Sequence, residues 1–290
     1  MVQPLTVLSI AGSDSGGGAG IQADLRTFAA LGVHGVTALT AVTAQNTLGV
    51  HDVAVMPASM VLAQARCVLD DFDVAAVKTG MLGDADVVEA VAELAREGLL
   101  ANLVVDPVLV STTEHSLMRD GGVRAYREAL VPLATVVTPN LREAAALGGV
   151  DVGDVTTVEH MRALARDILA LGPRYVLVKG GHFAARRASH DGTAHDGAMP
   201  DDAVPDDAVP DVLVGYDVDD VFEGPRVPTT NDHGTGCSLS AALCARLARG
   251  LSVPDATRDA KSFVLEALRG ARDWHLGEGR GPLDHLGWNQ

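Results

Sequence analysis

The chain has 290 residues, 47% hydrophobic and only 3% aromatic, so it can bury one large core built mainly from Ala, Val and Leu. Its formal net charge of −16 argues against nucleic acid or an anionic membrane surface as partner, since both demand basic patches. Three cysteines (Cys67, Cys237, Cys244) show no metal-ligand spacing, no charged-then-apolar leader precedes residues 5–11, and no apolar run reaches membrane-spanning length, so a cytoplasmic protein is expected.

Short β-branched runs at 5–11, 36–42, 74–78, 103–106, 135–137 and 175–179 are apolar on both faces, as buried parallel strands are. Helical stretches fall between them, near 19–31, 58–71, 84–97, 119–130, 141–147 and 157–171. Thr156 and Glu159 are spaced as a capping box for the last of these. The alternation predicts an α/β fold, a mostly parallel sheet with helices on both faces, whose ligands sit beyond the carboxyl ends of the strands. From 184 to 210 the composition shifts to Ala, Asp, Gly and Pro, and Pro-Asp-Asp-Ala-Val occurs at both 200–204 and 205–209. Such a stretch lacks the apolar content to pack, so a flexible surface insertion within a single domain spanning 1–290 is expected. His190 and His195 inside it read as solvated rather than metal-binding. Strands at 212–216 and 218–222 follow, then helices from 237 to about 249 and from 254 to 274, with Pro254 a first-turn residue after Ser252.

The polar motifs fall at the strand ends. After the first strand, Gly18, Gly20 and Ala23 fit a dinucleotide-binding spacing, yet no acid occurs between Asp24 and Asp52 to hold a ribose, which counts against a nicotinamide-dependent dehydrogenase. The turn has no Gly-Lys-Ser/Thr ending either, so it is not a P-loop; its glycines suit close approach to a small substrate. Gln45 offers a donor and an acceptor to the edge of an aminopyrimidine, the plainer alternative being a surface amide. Met81 can pack on a planar ring or simply fill core. Asn140 and Glu143, three apart at a helix start, could hold Mg²⁺ with Asp106 through waters, or be a helix cap and its dipole partner. Lys179 and the glycines after it can meet phosphates. The run 229–238 is a turn of small residues opening onto an apolar helix, an anion site in which Cys237 is expected to have a lowered pKa.

Taken together, AGSDSGGGAGIQADL, AQNT, KTGML, DPV, TPNLREA, VKGGH and HGTGC resemble in content and order the hydroxymethylpyrimidine/phosphomethylpyrimidine kinases of thiamine biosynthesis, over all but 184–210. The resemblance implies a ribokinase-like three-layer α/β fold and a homodimer. It implies phosphorylation by ATP, with Mg²⁺, of 4-amino-5-hydroxymethyl-2-methylpyrimidine and then of its monophosphate. Carried over by position, it sets Gly12, Asp24, Gln45, Met81 and Val108 around the pyrimidine, and Asn140, Lys179 and Gly181 on the ATP side. Asp106 and Glu143 fall at the metal, Gly234, Thr235 and Gly236 form an anion hole, and Cys237 takes the place of the base. Residues 111–118 stand where the family has a mobile flap, though their sequence departs from the usual loop. A pyridoxal kinase on the same frame is the nearest rival. Some of those carry a second cysteine in the flap, and 109–118 here has none. A non-catalytic pyrimidine sensor is a rival of another class, and it would have no use for Asp106, Glu143, Lys179 and Cys237.

Overall fold

The computed structural model describes residues 3–109, 118, 121–181 and 208–289. Its sheet grows from β1 (Thr6–Asp14), buried along nearly its whole length, which pairs in parallel with both β2 (His34–Asn46) and β4 (Val74–Thr79). The short strands β5 (Val104–Val105) and β6 (Val136–Val137) and then β7 (Tyr175–Lys179) extend the parallel run. At one edge β3 (Gly49–Val55) pairs antiparallel with β2; at the other, β8 (Ala208–Gly215) and β9 (Asp219–Pro225) add an antiparallel pair. The strand order is β3-β2-β1-β4-β5-β6-β7-β8-β9, so the chain reverses direction across the sheet between β1 and β4. Ligands settle at such a switch point.

Helices cover both faces. On one lie α2 (Ala58–Asp71), α3 (Ala85–Arg96), α4 (Gly122–Ala125, continued by a wider turn at Tyr126–Leu130), α5 (Leu141–Gly148) and α6 (Val158–Leu169), sharing a core with Ile10, Val77 and Val105. On the other lie α1 (Gly20–Ala30), α7 (Thr235–Ala248) and α8 (Val253–Ala271), packed with Val7, Ala76 and Leu177. Helix α7 is buried without a break from Ser238 to Ala245, as expected of a helix that is apolar all round. Ser252 caps α8 ahead of Pro254. No helix among the described residues is long and apolar enough to cross a membrane.

Four expectations need correction. Strand β2 runs to Asn46, so Gln45 lies in a strand rather than beyond one, and β3 was not anticipated because its polar His51 and Asp52 break the apolar run. The cap of α6 is Thr157, whose hydroxyl accepts from His160 N–H, one residue later than the expected box on Thr156. Residues 208–210 belong to β8, opposite Glu223–Pro225, because Val209 and Pro210 can extend an existing ladder. The rest of the expected insertion, 184–207, and the start of the 119–130 helix lie outside the described residues.

That last correction separates two deletions. Removing 184–207 with a short Gly/Ser closure should leave melting and turnover nearly unchanged, since loop length alters closure entropy by less than about 1 kcal/mol. Extending the cut through Pro210 removes three ladder positions and the Val209 carbonyl that accepts from Lys261 Nζ at 3.0 Å. It should cost roughly 1–3 kcal/mol in urea denaturation. Equal stability of the two variants would refute a structural role for 208–210.

Candidate active site

Strands β1 and β2 overhang their neighbours, reaching Asp14 and Asn46, while β5 and β6 stop at Val105 and Val137. A register shift between Ala11 and Ser13 lets β1 step out of its ladder at Gly12. Above the short strands this leaves a cavity of about 480 Å³, roofed by the N-terminus of α7. Gly12, Gln45, Met81, Val108, Asp106, Asn140, Glu143, Lys179, Gly181, Gly234, Thr235, Gly236 and Cys237 all line it. The fold therefore gathers thirteen of the fourteen expected site residues in one space.

Asp24 is the exception. It is fully buried on α1, behind the wall, where its two oxygens accept from Lys78 Nζ at 3.0 and 2.9 Å and from Ser9 Oγ at 2.6 Å. Its carboxylate is spent on Lys78, which does reach the cavity. Burial works against that ammonium, but Asp24, with Cys237 and Asp106 beyond it, holds it above the ordinary lysine range. Sequence reading passed over Lys78 because a lysine inside a strand gives no sign of which carboxylate it will meet.

A second group was also missed. Asp14 is 4% exposed and accepts from Gly16 N–H at 2.8 Å, Gly18 N–H at 3.0 Å and Ala19 N–H at 2.8 Å, which closes the glycine-rich turn on its carboxylate. Burial pushes its pKa up, but the His233 contact and the amides of Ala19 and Gly16 outweigh that and leave it lowered. His233 Nε2 lies 3.0 Å from Asp14 Oδ2 and 3.1 Å from the Gln45 amide. Met81 Cε lies over Gly12, 2.5 Å from where a side-chain carbon would stand, so the apolar floor there requires glycine.

On the opposite side, the N-cap of α7 is Gly234, with φ +87° and no side-chain cap hydrogen bond. A Cβ there would collide with the Gly18 carbonyl, so the turn needs both the left-handed backbone and the missing side chain. Gly234, Thr235, Gly236 and Cys237 bring the N-terminus of α7, the positive end of its dipole, to the cavity, with the Thr235 N–H also bonded to the Asp232 carbonyl at 3.3 Å. The Lys179 ammonium lies beside Gly236, 3.1 Å from a would-be Cβ, and pairs with Asp106 Oδ1 at 2.7 Å. Thr138 Oγ1 and Ser240 Oγ donate to Asp106 at 3.2 and 3.3 Å.

Asn140 and Glu143 form a capping box on α5: Asn140 Oδ1 accepts from Glu143 N–H at 3.0 Å and Glu143 Oε2 from Asn140 N–H at 2.7 Å. They also line the cavity, so the cap and the site are the same residues. Burial pushes the Glu143 carboxyl up to about 7, with Lys179 opposing and Asp106 adding to the rise. Burial likewise raises the Cys237 thiol to about 11, the opposing pull of Lys78 being offset by Asp106 and Asp24. The expectation of a lowered thiol is thus overturned: it rests on the helix dipole and glycine amides, which burial first, and then two buried carboxylates, outweigh. Of the flap 111–118, all but Met118 lies outside the described residues.

The phosphomethylpyrimidine kinase family model matches residues 14–284. A hydroxymethylpyrimidine/phosphomethylpyrimidine kinase of Streptomyces coelicolor is 47% identical over 287 residues, covering 99% of this chain and 96% of that protein. The crystal structure of phosphomethylpyrimidine kinase from Clostridium difficile superposes with a TM-score of 0.73 at 34% identity, covering 91% of this chain and 99% of that one. Staphylococcus aureus pyridoxal kinase in complex with AMP-PCP and pyridoxal gives 0.82 at 33% identity, covering 100% and 96%. Backbone similarity alone does not separate the two activities; the sequence match favours the pyrimidine.

The raised Glu143 pKa has a measurable sign. Its folded value, about 7, exceeds the ordinary 4.5, so the neutral form is the one the fold favours. That stability is full below about pH 4.5 and is lost as pH climbs through 7. Glu143→Gln keeps an acceptor for Asn140 N–H and removes the charge. In denaturation of the ligand-free protein it should differ little from the parent at pH 5 and gain up to about 3 kcal/mol by pH 8. Parallel pH curves would show that Glu143 titrates normally in the fold.

Proposed function

The chain belongs to the phosphomethylpyrimidine kinase family, and we propose that its cavity transfers the terminal phosphoryl group of ATP to the hydroxymethyl group of 4-amino-5-hydroxymethyl-2-methylpyrimidine and then to the monophosphate, for thiamine diphosphate synthesis. The supporting observation is the joining, in one cavity, of an apolar ring slot (Gly12, Met81, Val108) edged by the Gln45 amide with an uncapped helix N-terminus beside Lys179. A ring carrying a hydroxymethyl group fits the slot, and its hydroxyl then faces the anion site. Phosphoryl transfer has a loose transition state, so positioning and charge neutralisation dominate. The amides of Gly234, Thr235 and Gly236 receive the moving charge, Lys179 spans donor and acceptor, and Asn140 and Gly181 lie on the ATP side.

Mg²⁺ suits the donor set: two carboxylates, Asp106 and Glu143, on a wall shared with phosphate-binding groups, because this ion keeps several waters and takes few protein ligands. Bound there, it would neutralise phosphate charge. We place the enzyme in the cytoplasm as a single-domain homodimer that binds no nucleic acid, in keeping with the charge of −16 and the free thiols Cys67, Cys237 and Cys244. Steady-state assays with the pyrimidine and with pyridoxal, each with Mg-ATP, test the reading; kcat/KM higher for pyridoxal would overturn it.

Cys237 is the proposed proton acceptor for the first transfer, and its raised pKa sharpens the test. With the thiol near 11, thiolate is a minor species at neutrality, so single-turnover phosphorylation of the hydroxymethyl group should rise with pH from 7 to 9.5. Cys237→Ala should flatten that rise and slow the step by about 10²–10⁴-fold, the usual worth of a positioned base. The second acceptor, a phosphate monoester with a second pKa near about 6, is already anionic. Its transfer should be flat over the same range and far less affected by the substitution. Equal losses in both half-reactions would leave Cys237 as a structural element of the turn.

A further inference from the structure

His233 Nε2 is shared between two neighbours, and their chemistry fixes where its proton lies. Asp14 Oδ2, 3.0 Å away, also receives the amides of Gly18 and Ala19; as an ionised carboxylate it can only accept. His233 Nε2 must therefore carry a hydrogen. The Gln45 amide group, 3.1 Å from the same nitrogen, cannot then donate to it, because two N–H donors would face each other. The two ends of a side-chain amide have nearly the same shape, so the hydrogen-bond network decides which is which. On its other side the Gln45 amide is 3.1 Å from Thr43 Oγ1, and that hydroxyl spends its proton on the Ser13 carbonyl at 2.9 Å. Thr43 Oγ1 is thus free to accept.

We infer that His233 is a specificity-determining positioning residue: its Nε2–H holds Gln45 Oε1, which turns the Gln45 NH₂ toward Thr43 and fixes the donor–acceptor order that the amide shows the substrate ring. The one Nε2–H is then shared between Asp14 Oδ2 and Gln45 Oε1, one Gln45 N–H goes to Thr43 Oγ1, and the Thr43 hydroxyl goes to the Ser13 carbonyl. One N–H and one lone pair of Gln45 are left for the ligand. An aminopyrimidine edge places an exocyclic donor next to a ring-nitrogen acceptor, and this matches a fixed amide in one order only. A 4-oxo analogue, with a ring N–H beside a carbonyl, shows the reverse order. A site built to hydrogen-bond one pattern rejects the other because its polar groups are left unpaired. His233 is side-chain buried to 12% exposure, so water does not readily replace it. The inference rests on the pyrimidine-kinase reading above and deepens it.

Two measurements test it. Long-range ¹H–¹⁵N correlation spectra of the unmodified, ligand-free enzyme report directly whether His233 Nε2 bears a proton; a bare Nε2 overturns the assignment whatever the substrate proves to be. Kinetics then test its consequence. His233→Leu should raise KM for the aminopyrimidine by roughly tenfold or more, shrink the preference over the 4-oxo analogue by a similar factor, and leave KM for ATP nearly unchanged. His233→Gln, which restores an N–H at that place, should recover most of both. An amino/oxo ratio unchanged in His233→Leu, or a fall in kcat alone, overturns the positioning role. Wild-type enzyme that fails to phosphorylate the aminopyrimidine overturns the assigned reaction instead, and the proton assignment is still decided by the spectra.

Discussion

The site depends on holding two buried ammonium groups at the carboxyl end of the sheet in a chain whose net charge is −16. Lys78 is fully buried and Lys179 nearly so, and each is met by a carboxylate, Asp24 and Asp106 respectively. A buried charge without such a partner is strongly destabilising, so both aspartates are committed before any ligand arrives. Polyanionic substrate thus meets local positive potential that the composition would never suggest. The same commitment sets the neighbouring acid–base states. Burial disfavours a charge on Glu143 and on Cys237, and the Asp106 carboxyl group paired with Lys179 adds to that. Cys237 is therefore neutral at pH 7 and Glu143 is neutral only below it, and each lysine is the counterion that makes ionisation accessible.

How far the sequence could be read follows from the kind of signal each element gave. β1, β4, β7 and α2 were legible because apolar runs and helical periodicity are local properties. β3 lies at a sheet edge with adjacent polar His51 and Asp52 in place of an alternating pattern, and its register depends on β2, so no local pattern announced it. The glycine-rich turns were legible as close-approach segments because glycine is needed there for steric reasons that neighbours in sequence reveal. Asp24 was misplaced because its partner, Lys78, is 54 residues away, and nothing local distinguishes a carboxylate that faces a ligand from one that neutralises a lysine. The Cys237 thiol differs from expectation for the same reason: the dipole of its own helix is local, whereas its burial, and after that Asp106 and Asp24, come from other elements.

The two halves of the site are tied together by the end of the chain. Arg280 N–H and Gly279 N–H bond to the Thr47 carbonyl and hydroxyl, at the turn after β2, at 3.0 and 3.1 Å. One residue further, the Gly281 carbonyl accepts from His233 N–H at 3.0 Å, in the turn before α7. Arg280 also pairs with Asp232, and Ser238 of α7 meets the buried His285 at 2.7 Å. Residues 279–285 therefore hold the β2 end and the α7 start at a fixed separation by main-chain bonds. Gln45 is two residues from one anchor, and His233 is itself the other. The side-chain contact between them needs no adjustable link, because Arg280 and Gly281 fix both backbones through main-chain bonds. An active site gains most from groups whose geometry is settled before the substrate binds. Here the Gln45 amide and the turn before α7 are positioned by one strap, so in the proposed reaction a substrate seated against Gln45 would have its hydroxymethyl group placed with respect to Gly234–Gly236 at the same time.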